Sequence, residues 1–130
     1  MTNSWTDIRN TDLVLIMGGN AAEAHPCGFK WVTEAMQKRK AKLIVVDPRQ
    51  IDLVRTTHIQ AQTHLQLRPG TNVAVVNAMA HVIVTEELVD QAFVDARCEG
   101  DSFEHWASFI SRPEHSPEAT EAHTGVPASA

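Results

Sequence analysis

Two short apolar runs, placed 30 residues apart, limit what this chain can fold into more than anything else in it. Leu13-Val14-Leu15-Ile16-Met17 is continuous and bounded by Asp12 and by Gly18-Gly19, and Leu43-Ile44-Val45-Val46 is closed by Asp47-Pro48. An unbroken apolar run of this length is how a strand buried on both faces of a parallel sheet reads. Proline cannot donate to a sheet ladder, so Pro48 ends the second run. Between the runs, Phe29, Val32 and Met36 recur at helical spacing behind Pro26, whose missing N–H costs nothing at a helix start. The spacing predicts a helix from Pro26 to about Lys40. Strand, helix and strand over this length make a βαβ unit with its two strands parallel.

Further elements follow more weakly. Residues 4–10 read as a helical turn capped by Ser4, with Asp7 favouring the positive end of the dipole. Residues 51–63 lack periodicity and are predicted as mostly loop. Residues 64–67 alternate enough for a third strand, ended by Pro69-Gly70. Thr71 or Asn72 then caps a helix through about Thr85, with Val73, Val76, Met79, Ala80 and Ile83 as its apolar stripe. Residues 89–97 and 102–111 are expected to pair around Gly100, through Val89, Phe93 and Val94 and through Phe103, Trp106 and Ile110. A short helix over 117–123 precedes a small, polar end. The expected fold is α/β: a Rossmann-like parallel sheet with flanking helices, then a helical C-terminal part. Residues 1–130 read as one incomplete domain, with a βαβ core over 11–85 and helices over 87–123.

Composition removes several function classes. A net charge of -5 with scattered Lys and Arg argues against nonspecific binding to nucleic acid or anionic membranes. The one basic cluster, Lys38-Arg39-Lys40, falls in the last turn of a predicted helix, where cations offset the dipole. Cys27 and Cys98 are far apart and form neither a CxxC motif nor a disulfide framework. Seven histidines include no HExxH arrangement, and no residue is assigned as catalytic or metal-ligating. No apolar run approaches the length of a membrane span and the N-terminus is polar, so a cytoplasmic setting is expected.

In open α/β sheets, ligands bind at the carboxyl ends of strands, where helix N-termini offer free N–H groups to phosphate. Three loops qualify. In the first, Gly18, Gly19, Asn20, Ala21 and Glu23 do not form a G-x-G-x-x-G fingerprint, yet two glycines allow close backbone approach and Asn20 both donates and accepts. A plain strand-to-helix turn explains the same residues. In the second, Asp47 stands where an acidic side chain in nucleotide-binding folds meets a ribose or a base edge, or else serves as a turn-former before Pro48. Arg49 suits a phosphate or a solvated surface. Gly70, Thr71 and Asn72 form the third loop.

Four segments then carry a family resemblance in order: residues 1–8, MTNSWTDI; 17–26, MGGNAAEAHP; 46–49, VDPR; and 67–74, LRPGTNVA. Together with HSPE at 115–118 and TGVP at 124–127, they resemble the alpha, or catalytic, subunit of molybdopterin-dependent formate dehydrogenases, within the molybdopterin oxidoreductase (DMSO reductase) superfamily. The resemblance implies an internal fragment of such a subunit. It implies that Gly18, Gly19, Asn20, Ala21, Glu23, Asp47, Arg49, Gly70, Thr71 and Asn72 hold part of a molybdopterin guanine dinucleotide carrying molybdenum or tungsten. It further implies two-electron oxidation of formate to carbon dioxide, an iron–sulfur cluster in another part of the parent subunit, and other formate dehydrogenase subunits as partners. The family's metal-ligating cysteine or selenocysteine would precede Met1, so this segment alone is expected to be inactive. Cys27 reads as a small buried residue. Gln50-Ile51-Asp52 follows the Asp-Pro-Arg turn where many relatives carry a threonine, which puts hydroxyl contacts there in doubt. The reading from a different class is a stand-alone nucleotide-binding or regulatory module using the same loops without redox chemistry.

Overall fold

A computed structural model describes residues 3–130; Met1 and Thr2, which open the first resembling segment, lie outside the described residues. The chain divides into two compact units, residues 1–66 and 67–130, and each is taken by itself.

In the first unit, β1 (Leu13–Met17), β2 (Lys42–Val46) and β3 (Thr63–Leu65) form a parallel sheet in the order β1-β2-β3. Leu13 stands opposite Lys42 and Met17 opposite Val46, while Ile44 pairs with Thr63 and Val46 with Leu65. A single turn, α1 (Ala21–Ala24), and the longer α2 (Pro26–Arg39) cross from β1 to β2. Helix α2 begins with Pro26 and stops where Lys40 turns left-handed at φ 62°. Its Phe29 and Val32 bury against Leu43, Val45, Ile51 and Leu53, with Val14, Ile16 and Met36 at the margin. Each such side chain stabilises the fold by about 1.5–3 kcal/mol relative to exposure. The 3₁₀ segment Trp5–Asn10 opens with a capping box in which Ser4 and Asp7 satisfy each other's backbone N–H groups.

Three expectations need correction here. Strand β1 is not covered on both faces: Val14 and Ile16 reach the core, whereas Leu13 and Leu15 are 51% and 45% exposed and Met17 is exposed too. It lies at the edge of the sheet, and an apolar run encodes a demand for cover without supplying it. Residues 51–63 are more ordered than a loop. They hold α3 (Asp52–Arg55), Leu53 is fully buried, and Ala61 N–H donates to Leu53 O at 2.7 Å. One turn of helix is too short to show a period. Cys27 is exposed rather than buried, because the first turn of α2 directs Phe29, not Cys27, at the core.

The second unit is helical: α4 (Asn72–Thr85), α5 (Gln91–Arg97), α6 (Gly100–Ile110), a 3₁₀ turn at Pro113–His115, and α7 (Pro117–Thr124). Helix α4 packs against α6 and α7. Asp90 caps α5 by accepting from Phe93 N at 3.0 Å, and Ser116 caps α7 by accepting from Ala119 N at 3.2 Å. His81 Nδ1–H donates to Ile110 O at 2.7 Å, tying α4 to the end of α6. The predicted stripe on α4 is the wrong face. Val75 and Ala78 are buried, while Val73, Val76 and Ile83 are exposed. The helix is apolar nearly all round, so its period admits two faces and packing on α6 and α7 selects one. Likewise Val94 and Ile110 go inward, while Phe93 and Trp106 stay exposed. The architecture is a three-stranded parallel sheet flanked by helices and followed by a helical part, as expected. Among the described residues, no helix is long and apolar enough to cross a membrane.

Candidate functional site

The carboxyl ends of β1 and β2 are joined by their backbone. Gly18 N–H donates to Val46 O at 2.9 Å, extending the ladder one residue beyond β1 and placing the first loop beside the second. Gly18 has φ +67°, a conformation that most residues adopt only with strain. A side chain added at Gly18 or Gly19 would meet nothing within 4 Å, so both glycines border open space. Asn20 opens α1 without using its side chain as a cap, and its Oδ1 is buried with no partner among the described residues. Ala21 and Glu23 follow on that turn.

Asp47 is the most buried charged group of the site, at 1% exposure. Burial alone pushes its carboxyl up. Hydrogen bonds from Arg49 outweigh that and hold it below the ordinary aspartate value. Arg49 N–H donates to Asp47 Oδ1 at 2.8 Å, Nε to the same oxygen at 3.2 Å, and Nη2 to Oδ2 at 3.3 Å. The Arg49 side chain remains 69% exposed, so its outer face is open to solvent while its inner face is tied to Asp47. The turn is fixed from β3: His64 Nε2–H donates to Asp47 O at 2.8 Å and Gln66 Nε2 to Pro48 O at 3.0 Å.

Asp52, which the sequence marked only as a departure from a threonine, is paired with Arg55, whose Nη2 donates to its Oδ1 at 3.0 Å. Its carboxyl is held below the ordinary value first by a hydrogen bond with Glu23 and next by Arg55, with Asn20 also contributing. The charge of Glu23 also favours the cationic form of Arg49, after the larger effect of Asp47. The structure thus gathers Asn20, Glu23, Asp47, Arg49 and Asp52 at one end of the sheet. The only sequence signal for Asp52 was its place five residues after Asp47, which says nothing about what it meets.

Gly70, Thr71 and Asn72 lie in the second unit. Gly70 has φ +87° and open space around it. Thr71 occupies the N-cap of α4 but makes no capping bond; its buried hydroxyl donates to Arg68 O at 2.7 Å. The N–H groups of Asn72, Val73 and Ala74 have no acceptor among the described residues. This differs from α5 and α7, whose N-termini are filled by Asp90 and Ser116.

An anionic ligand with a polar, planar base fits these residue types. In the first unit, open glycines leave room for a ligand, and a buried carboxylate and an unpaired amide oxygen suit base or ribose donors; in the second, taken by itself, the free N–H groups at the start of α4 suit phosphate. No group of three or more His, Cys, Asp or Glu able to hold a metal ion occurs among the described residues.

Fold and loops define an open parallel α/β protein with its candidate site at the strand ends. The chain belongs to the molybdopterin oxidoreductase family, whose model matches residues 1–123. It is 43% identical over 129 residues to "Formate dehydrogenase H" of Escherichia coli, covering 99% of this chain and 17% of that protein. "F420-dependent formate dehydrogenase 1 subunit alpha" of Methanococcus maripaludis is 45% identical over 77% of this chain and 14% of its own length. "Dimethyl sulfoxide reductase DmsA" of Escherichia coli is 41% identical over 75% of this chain and 12% of its own length. Among solved structures, acetylene hydratase from Pelobacter acetylenicus superimposes with a TM-score of 0.68 at 29% identity, covering 91% of this chain and 15% of that one. The chain therefore spans less than a fifth of the length of these relatives. Their names span formate oxidation, sulfoxide reduction and acetylene hydration, so likeness over this segment does not choose among reactions.

Proposed function

We propose that this chain supplies the first part of the cofactor-binding domain of a formate dehydrogenase catalytic subunit, holding one molybdopterin guanine dinucleotide. The observation that carries the reading is the juxtaposition of the first two strand-end loops, joined where Gly18 N–H donates to Val46 O at 2.9 Å, beside open glycines. Similarity to formate dehydrogenases from a bacterium and an archaeon supports formate as the substrate of the parent enzyme. In this reading Asp47 and Asn72 meet the base or ribose. Arg49 turns its exposed side to a phosphate, and Gly18, Gly19 and Gly70 let backbone approach the ligand. Ala21 and Thr71 set the start of the helical turns behind those glycines. The metal-bearing pterin, of molybdenum or tungsten, supplies the two-electron redox chemistry when bound. In the parent that chemistry would take two electrons and a proton from formate to give carbon dioxide, and an iron–sulfur cluster elsewhere in the parent, with other subunits, would accept the electrons. The parent works in the cytoplasm. This chain's residues bind and orient; none transfers a proton or an electron.

The test is cofactor content of the purified native complex that contains this chain, read as molybdenum or tungsten and as guanine nucleotide released by acid. Gly19→Val is the informative variant. Its backbone is not left-handed and a side chain there meets open space, so folding is preserved while the ligand is crowded. Content should fall about tenfold or more, the effect of roughly 1.4 kcal/mol of lost binding. Unchanged content in both Gly19→Val and Asp47→Ala would overturn the reading. Guanine nucleotide without molybdenum or tungsten would replace it with the nucleotide-binding module.

A further inference from the structure

An arginine at a strand-end loop is ordinarily taken for a ligand to an anion. Arg68, two residues before Gly70, directs its charge elsewhere. Nη1 donates to Ala122 O at 2.5 Å and to His123 O at 3.4 Å, among the last carbonyls of α7, where the helix dipole favours a cation. Its backbone N–H donates to Thr124 O at 2.7 Å. On its other side, Arg68 O accepts from Thr71 N at 3.2 Å and from Thr71 Oγ1 at 2.7 Å. One residue thus holds the end of α7 and the cap of α4 together.

The end of α7 is itself fixed. Thr124 is 1% exposed, donates from Oγ1 to Thr120 O at 2.9 Å and accepts at the same oxygen from Val126 N at 3.2 Å. Gly125 is left-handed at φ +76°, and a Cβ there would stand 3.4 Å from Arg68 Cγ, so the arginine stem lies along the glycine. Thr71 donates its hydroxyl to Arg68 O and makes no capping bond to α4. The turn is thus held while the first N–H groups of the helix stay without a partner among the described residues.

We propose that Arg68 is a positioning residue, a clamp that joins the carboxyl end of α7 to the turn at 68–71 and so aims Gly70, Thr71 and the open start of α4 at the diphosphate of the ligand. This rests on the proposed function for the ligand but not for the clamp, and Arg68 itself does not touch the ligand. The segment 115–127 thereby gains a role, as the brace against which the third loop is set.

The test compares the full chain with Arg68→Ala and Arg68→Lys by amide exchange and by titration with guanosine diphosphate. In Arg68→Ala, exchange at Thr71, Gly125 and Val126 should accelerate together while Leu43 and Val45 keep their protection. The nucleotide dissociation constant should rise about tenfold, and Arg68→Lys should recover most of both effects, since an ammonium also reaches carbonyls. Weaker nucleotide binding with unchanged exchange would make Arg68 a direct ligand and overturn the clamp. Faster exchange with unchanged binding would overturn the positioning role. If the unaltered chain does not bind the nucleotide, the site reading fails, and the joint or separate response of Thr71 and Gly125 alone decides the clamp. Should Arg68→Ala unfold the second unit, Gly125→Ala carries the same test, because it leaves the guanidinium in place and crowds its stem. Coupled loss supports the clamp and uncoupled loss sinks it.

Discussion

The two units of this chain bury their apolar residues very differently. In the first, a central strand flanked by two others collects Leu43, Val45 and Leu53 at zero exposure around Phe29 and Val32. In the second, the innermost groups are Leu67, Val75, Ala78, Val94, Ile110 and three threonines, while Val73, Phe93, Trp106 and Phe109 are left exposed. Thr120 and Thr124 are tolerated inside because each donates to a carbonyl one helical turn back. The first unit draws its order from a side-chain core and the second from caps, clamps and hydrogen bonds to carbonyls. The exposed Phe93, Trp106 and Cys98, which with the half-buried Phe103 line an open groove of about 680 Å³, mark surface fit for contact rather than a finished exterior.

The largest effect should come from the core of the first unit. Leu53→Ala empties a fully buried site and is expected to cost about 2–5 kcal/mol, whereas Phe93→Ala in the second unit should stay within about 0.5 kcal/mol. Denaturant unfolding of each variant checks both, with Trp31 reporting on the first unit and Trp106 on the second. Comparable losses would break the contrast.

Next in size is the pH dependence of the site turn. A carboxyl with a lowered folded-state pKa contributes stability in full above the ordinary aspartate value and loses it as pH falls through the depressed one. Asp47 and Asp52 both shift in that direction. Asp47→Asn keeps the shape but removes the charge. The stability gap between the chain and this variant should therefore be widest near neutral pH and close in acid, as followed by urea midpoints across the range. A gap that stays constant, or widens in acid, would show that the Arg49 contacts do not carry the effect.

The sequence made the first unit legible because its two strands are apolar without interruption and are punctuated by Gly18-Gly19 and Asp47-Pro48. The helix between them was bounded by Pro26 and by a basic last turn for equally local reasons. Partners were not legible. Nothing in Leu13, Leu15 or Met17 says that one face of β1 lacks cover, and nothing in an all-apolar α4 says which face packs. For the site, position at strand ends picked out residues that do converge, Asn20, Glu23, Asp47 and Arg49. It says nothing of what Asp52 and Arg68 meet, because their contacts, with Arg55 and with the end of α7, form only in the folded chain. Gly18 and Gly70 read from the sequence as glycines that let backbone approach a ligand, and their positive φ values add a second reason that no spacing rule supplies.

Caps test the second half of the contrast. Ser116→Ala removes the acceptor for Ala119 N–H at the start of α7 and should cost about 1 kcal/mol. Exchange should rise first at Ala119 and Thr120. The change should reach Thr124 and the Arg68 contact if α7 acts as one brace, and stop within the first turn if it does not.

The smallest change in stability should accompany the sharpest change in local structure. Gly28 sits inside α2, where alanine would normally gain about 0.5–1 kcal/mol. A Cβ there would stand 2.6 Å from the Trp5 ring, which lies flat enough on the helix to forbid it. Trp5 is half exposed and can swing away, so Gly28→Ala should trade the helical gain for lost ring packing, with a net change below about 1 kcal/mol. With Trp31 and Trp106 replaced by Phe, the emission of Trp5 should move to the red as the ring enters water. An unshifted emission together with the full helical gain would mean that the ring does not rest on Gly28, leaving the 3₁₀ segment tied to α2 by Trp5 against His25 and by Arg9 over Trp31 instead.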